Sequence, residues 1–115
     1  LAPGGRQLGL RRSGASVCAR VFDAPPEQFY KPSVDVAFTE AARTMPGKVL
    51  GVVLTGMGSD GAQGAKLLKD TGSAVWAQDE ASSVIYGMPA AVARAGLAEQ
   101  VLALDDVAPA LTKIR

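Results

Sequence analysis

The pattern of apolar and polar positions changes character twice along the chain. Between Arg6 and Phe22, two short segments around Gln7–Arg11 and Ser16–Phe22 flank Ser13-Gly14, and in the second Val17, Ala19 and Val21 alternate with Cys18, Arg20 and Phe22. A period of two on either side of a turn dipeptide predicts a β-hairpin. Asp23 to Pro32 carries three prolines among polar residues and reads as a loop crossing the surface. Ser33 then offers an N-cap, and Val34, Ala37, Phe38, Ala41, Ala42 and Met45 recur at helical spacing until Pro46-Gly47 stops them.

From Val49 the pattern becomes one of repeated units. Val49 to Leu54 is a continuous apolar run bounded by glycines, which suits a parallel strand buried on both faces. A glycine-rich turn, Thr55 to Gly61, leads into a short helix from Ala62 to Asp70 that ends at Gly72. Ala74 to Ala77 reads as a second strand, followed by a polar turn from Gln78 to Ser83. A broken helical segment comes next, interrupted at Gly87 and restarted by Pro89, a residue suited to the first helical position. Gln100 to Leu104 reads as a third strand, and Asp105 as the cap of a last helix through Ile114. Strand and helix alternating with right-handed crossovers predict an α/β fold: a doubly wound, mostly parallel, Rossmann-like sheet with a β-hairpin near the N-terminus.

Composition narrows the function. With 115 residues there is room for one core and one domain. A formal net charge of +1 gives no basic field for nucleic acid, and no apolar run approaches the roughly 18 residues of a membrane span. One cysteine forms no internal disulfide, and no signal-peptide pattern leads the chain, so a cytoplasmic location is expected. Cys18 itself, without a basic neighbour pattern, is expected to be half-buried and inert. The chain has no histidine, the commonest general base near neutral pH, so no His-dependent triad is complete within it. It opens on Leu1 and runs at once into Ala2-Pro3-Gly4-Gly5, as a piece cut from a longer protein would.

The glycine turn admits more than one reading. Gly56-Met57-Gly58-Ser59-Asp60-Gly61 matches G-x-G-x-x-G after a strand and before a helix, with Asp79 about 20 residues on, as in a dinucleotide site. Asp60 argues against it, because its charge would stand in the same turn as a pyrophosphate; at 4 Å that repulsion is about 1 kcal/mol per pair in water and about 4 at an effective dielectric near 20. Alternatively Asp60 is the functional group, orienting an imidazole supplied from elsewhere, and the turn's N–H groups receive an oxyanion. The plainest reading makes Asp60 and Ser59 ordinary helix caps.

Two longer stretches carry a resemblance. Leu54 to Gly61 and Ala77-Gln78-Asp79-Glu80-Ala81-Ser82-Ser83-Val84-Ile85-Tyr86-Gly87-Met88-Pro89 resemble the two signature stretches of the chemotaxis protein-glutamate methylesterase family. Ala2-Pro3-Gly4-Gly5 and Pro32-Ser33-Val34-Asp35-Val36 agree in order and spacing. The resemblance implies the C-terminal part of a catalytic domain, an incomplete domain over residues 1–115, that hydrolyses glutamyl methyl esters on chemoreceptors and deamidates receptor glutamines. It implies Asp60 as the triad acid, the Met57 backbone N–H as an oxyanion donor, Thr55, Gly56 and Gly58 on the substrate side, and no metal or cofactor. The nucleophilic serine and the histidine would lie before Leu1, since none of the chain's serines sits in the family's serine turn. The partners implied are the cytoplasmic segment of a methylated chemoreceptor and either the preceding part of the same domain or a second copy; nucleic acid and membrane insertion are not. Gln78, Asp79 and Glu80 are expected to cap and solvate their turn, and Tyr86 and Met88 to form core or pocket wall. A non-catalytic binding module on an esterase fold remains the third reading.

Overall fold

The computed structural model describes residues 1–114. The predicted hairpin forms from β1 (Gln7–Ser13) and β2 (Ser16–Phe22), paired antiparallel from Gln7 opposite Phe22 to Ser13 opposite Ser16. The two strands make a sheet of their own, with β1 against helix α1 (Val34–Thr44) and β2 outermost. Cys18, on that outer strand, is therefore exposed rather than half-buried.

The second sheet has the order β3-β4-β5, all parallel: β3 (Leu50–Val53), β4 (Ala74–Gln78) and β5 (Gln100–Leu102). Between them lie α2 (Ala62–Asp70) and α3 (Met88–Arg94), and α4 (Leu104–Leu111) follows β5. Val53 of β3 and Val75 and Ala77 of β4 share a core with Ala42 of α1, Ala65 and Leu68 of α2, and Val92 of α3. On the alternate positions of the sheet, Trp76 and Leu102 line a cleft with Asp106, Pro109 and Ala110 of α4. Helices thus cover both faces, the doubly wound arrangement that apolar parallel strands require.

Several features differ from the sequence reading. The apolar run of β3 is not buried on both faces: Gly51 and Val53 are buried, Leu50 and Val52 half-buried, and Leu54 is exposed, because β3 is an edge strand among the described residues. The segment before Gly87 is not helical; the Ile85 and Gly87 N–H groups go to Thr55 and Gly56 instead of to carbonyls one turn back. β5 stops at Leu102, and α4 begins at Leu104 with no side-chain cap from its N-cap Ala103. Asp105 is inside the first turn, and the acceptor for the Leu104 N–H is the Ser82 hydroxyl at 3.0 Å. The helix ends at Leu111, two residues beyond Pro109, where the Thr112 hydroxyl donates to the Pro109 carbonyl.

Candidate active site

Asp60 stands in the turn after β3, and its carboxylate is directed at another helix, not at its own. Oδ1 accepts from the Ser33 hydroxyl at 2.9 Å and the Asp35 N–H at 3.0 Å, and Oδ2 accepts from the Val34 N–H at 2.7 Å. These N–H groups open α1, where no carbonyl one turn back exists to receive them and where the helix dipole favours a negative charge. Ser33 is the N-cap predicted from sequence, its oxygen accepting from the Val36 N–H at 3.3 Å while its proton goes to Asp60. Ser33 is held in turn by the fully buried Gln7, whose Oε1 accepts the Ser33 N–H and whose Nε2 donates to the Tyr30 carbonyl, each at 2.8 Å.

The exchange is reciprocal. Asp35, in the first turn of α1, accepts at Oδ1 from the N–H groups of Gly61 and Gly64, at 3.0 and 2.8 Å, and so closes the start of α2. Each helix is capped by the other's carboxylate. Burial raises the Asp35 carboxyl above its ordinary value; the Gly64 hydrogen bond opposes this and the neighbouring Asp60 charge adds to it.

The glycine turn is stitched to the segment after β4. Gln78, fully buried at the end of β4, accepts the Thr55 N–H at 2.7 Å and donates from Nε2 to the Ser82 carbonyl at 2.8 Å. Thr55 exchanges two hydrogen bonds of 2.9 Å with the Ile85 backbone. The Gly56 N–H goes to the Ile85 carbonyl, and the Gly56 carbonyl accepts from Gly87 and Met88. A Cβ on Gly87 would stand 2.7 Å from the Gly56 carbonyl oxygen and 2.9 Å from the Gly58 nitrogen, so only glycine lets the two loops approach this closely. Met88 packs beneath Gly56 and against the core, as expected, and Tyr86 is half-buried. Of the polar turn, Asp79 caps Ser82 and Glu80 is exposed, but Gln78 is an internal strut.

Asp60 and Met57 therefore stand in the same turn. The Met57 N–H has no acceptor among the described residues, and the residue is 75% exposed. Thr55, Gly56 and Gly58 lie in the same turn, although the Thr55 hydroxyl is already satisfied by Ile85. No group of three or more His, Cys, Asp or Glu that could hold a metal forms among the described residues. Sequence reasoning missed Ser33 and Asp35 as partners of Asp60; a serine cap two residues before an aspartate was the one local signal.

A family model for CheB methylesterase matches residues 1–111. The chain belongs to the CheB methylesterase family. It is 64% identical over 115 residues to the protein-glutamate methylesterase/protein-glutamine glutaminase of Alkalilimnicola ehrlichii, covering all of this chain and 30% of that protein. A protein of the same description from Hahella chejuensis is 58% identical over 111 residues, covering 96% of this chain and 29% of the relative. The chain thus spans just under a third of these relatives. The crystal structure of the Thermotoga maritima CheB methylesterase catalytic domain superposes with a TM-score of 0.91 at 34% identity, covering 96% of this chain and 58% of that one. The hairpin and parallel sheet are accordingly the fold of the CheB catalytic domain.

Membership of the CheB family displaces the dinucleotide reading, and the geometry gives the physical reason. A pyrophosphate on α2 would need its first N–H groups, and those of Gly61 and Gly64 are taken by Asp35. Asp79, the candidate ribose ligand, is turned back on the Ser82 N–H and hydroxyl, at 2.9 and 2.6 Å.

Proposed function

We propose that this chain is the Asp-bearing part of a protein-glutamate methylesterase catalytic domain, acting on glutamyl methyl esters, and on glutamine side chains by deamidation, in the cytoplasmic segments of chemoreceptors. The observation that carries this reading is one turn that holds a carboxylate by three hydrogen bonds beside a backbone N–H with no acceptor. A carboxylate so fixed can keep an imidazole in one tautomer and stabilise the imidazolium that forms when a serine attacks the ester carbonyl. The tetrahedral oxyanion would take its hydrogen bond from Met57, with Thr55, Gly56 and Gly58 beside it. Collapse of the tetrahedral intermediate breaks the bond to methanol, or to ammonia from glutamine, the leaving group taking its proton from the imidazolium, and water hydrolyses the acyl-enzyme left behind.

The chain has no histidine, so the base and, by the family resemblance, the nucleophile come from polypeptide outside these 115 residues. We assign residues 1–115 to the C-terminal portion of the domain, in the cytoplasm; no helix among the described residues is long and apolar enough to cross a membrane. The test is a chimera in which these 115 residues replace the matching segment of the Alkalilimnicola ehrlichii protein. It should release methanol from a methyl-esterified receptor peptide, Asp60→Ala should lower kcat by about 10⁴-fold, as expected for a mispositioned imidazole, and the isolated chain should show no turnover. An inactive chimera, or an Asp60→Ala chimera as fast as its parent, overturns the reading.

A further inference from the structure

We propose that Asp35 is a positioning residue for this site: its side chain fixes the peptide that follows Asp60 while its backbone fixes the Asp60 carboxylate, leaving the open acceptor position of Asp60 on Oδ2. This rests on the reading of Asp60 as the imidazole-orienting acid. A carboxylate offers about four acceptor positions, two on each oxygen. Oδ1 of Asp60 uses both, for Ser33 and Asp35, whereas Oδ2 uses one, for Val34. An incoming imidazole N–H is therefore received at Oδ2, on the side of the carboxylate that the α1 backbone does not fill.

The Asp35 side chain clamps the same residue from its other end. Its Oδ1 holds the N–H of Gly61, the peptide directly after Asp60, and the N–H of Gly64 one turn into α2. Asp60 can then neither rotate about its side-chain bonds without breaking the contacts to α1 nor shift with its backbone without breaking the contact to Asp35. Asp35 takes part in both clamps, as one of the three donors to the carboxylate and as the acceptor for the peptide after it, so this carboxylate is held more closely than a cap alone would need. If Asp35 served only to cap α2, its loss would lower stability and leave turnover of the folded protein unchanged.

Both hydrogen bonds of Asp35 fall on one oxygen, so asparagine can keep them and alanine cannot. In the chimera, and per folded molecule, Asp35→Ala is expected to lower kcat on the order of 10²-fold with KM changed less than about twofold, and Asp35→Asn to stay within about threefold of the parent. Amide exchange at Gly61 and Gly64 should accelerate in the alanine variant only. Should Asp35→Ala fail to fold, Asp35→Glu, which keeps the charge but displaces the carboxylate by one methylene, should show the same kcat-specific loss. An active chimera in which Asp35→Ala or Asp35→Glu turns over like its parent, or in which Asn and Ala are equally impaired, overturns the positioning role alone; an inactive parent chimera overturns the functional reading and this role with it.

Discussion

Asp35 and Asp79 each accept hydrogen bonds from N–H groups at the start of a helix or turn, yet their surroundings push their carboxyls in opposite directions. Asp79 is half-buried, and the Ser82 hydroxyl followed by the Ser82 N–H stabilise its charge, so its carboxyl lies below the ordinary 3.8. Asp35 is packed between two helix starts, and desolvation outweighs the N–H groups it accepts, so its carboxyl lies above 3.8. Site-resolved carboxyl titration by NMR should find Asp79 losing its proton first and Asp35 later. The stability consequences are opposite in sign. The Asp79 contribution is present above pH 3.8 and is lost as pH falls through its depressed value. The Asp35 contribution is present below pH 3.8 and is lost as pH rises through its raised value. Asp79→Ala should therefore be less stable than the parent at neutral pH, and the gap should close on acidification; a gap that stays constant through that range would contradict the assignment.

At the scale of elements, the exchange of caps requires α1 and α2 to approach closely, and Gly64 sets the distance. A Cβ there would stand 2.6 Å from the Phe38 Cβ and 3.0 Å from the Asp35 carbonyl oxygen, neither of which can move without moving α1. In a free helix Gly→Ala gains about 1 kcal/mol, whereas overpacking a closed contact costs about 1–3. Here the second effect wins, because the neighbours are backbone and a branch point. Gly64→Ala should lose about 1–2 kcal/mol in urea denaturation and should expose the Gly61 amide to exchange; a stabilised variant would show that the helices can part. This contact also marks what the sequence could reveal. The Ser33 cap, the hairpin between Gln7 and Phe22 and the β4 strand were legible because their signals lie within a few residues of one another. The caps between Asp60 and Val34 and between Asp35 and Gly61 join positions 26 apart, and Ser82 reaches Leu104 across 22, so neither periodicity nor local cap chemistry could announce them. Asp105 was mistaken for a cap for the same reason. Asp60 was singled out because the turn around it is long and low in degeneracy, while the three residues that hold it, Ser33, Val34 and Asp35, lay in a stretch matched only by order and spacing.

On the scale of the whole molecule, the three-stranded sheet has unequal edges. β5 is three residues long and runs beside α4, while β3 pairs with β4 on one side and with no strand on the other among the described residues. Its backbone from Leu50 to Val53 thus presents unpaired N–H and C=O groups along a Val-rich edge, without the lysine, proline or bulge that blunts natural edges. Around the carboxyl end of the same sheet, Leu54, Met57, Val84 and Ile85 are all exposed, with Phe29 and Tyr30 on the loop before α1. An edge of this kind lying beside apolar surface favours strand addition, because pairing satisfies the backbone groups while contact buries the side chains. The isolated 115 residues should therefore sediment above the monomer mass, increasingly with concentration. Val52→Lys, placed on the half-buried face of the edge strand, should shift them toward monomer without loss of helical signal, because the charge must be desolvated on pairing but not in the single chain. The chimera, in which the edge is expected to be covered by the rest of the domain, should sediment alike with and without that substitution. A monodisperse monomer for the unsubstituted chain would mean that the β3 edge is closed by its own surroundings and that the apolar rim of the site is stable in water.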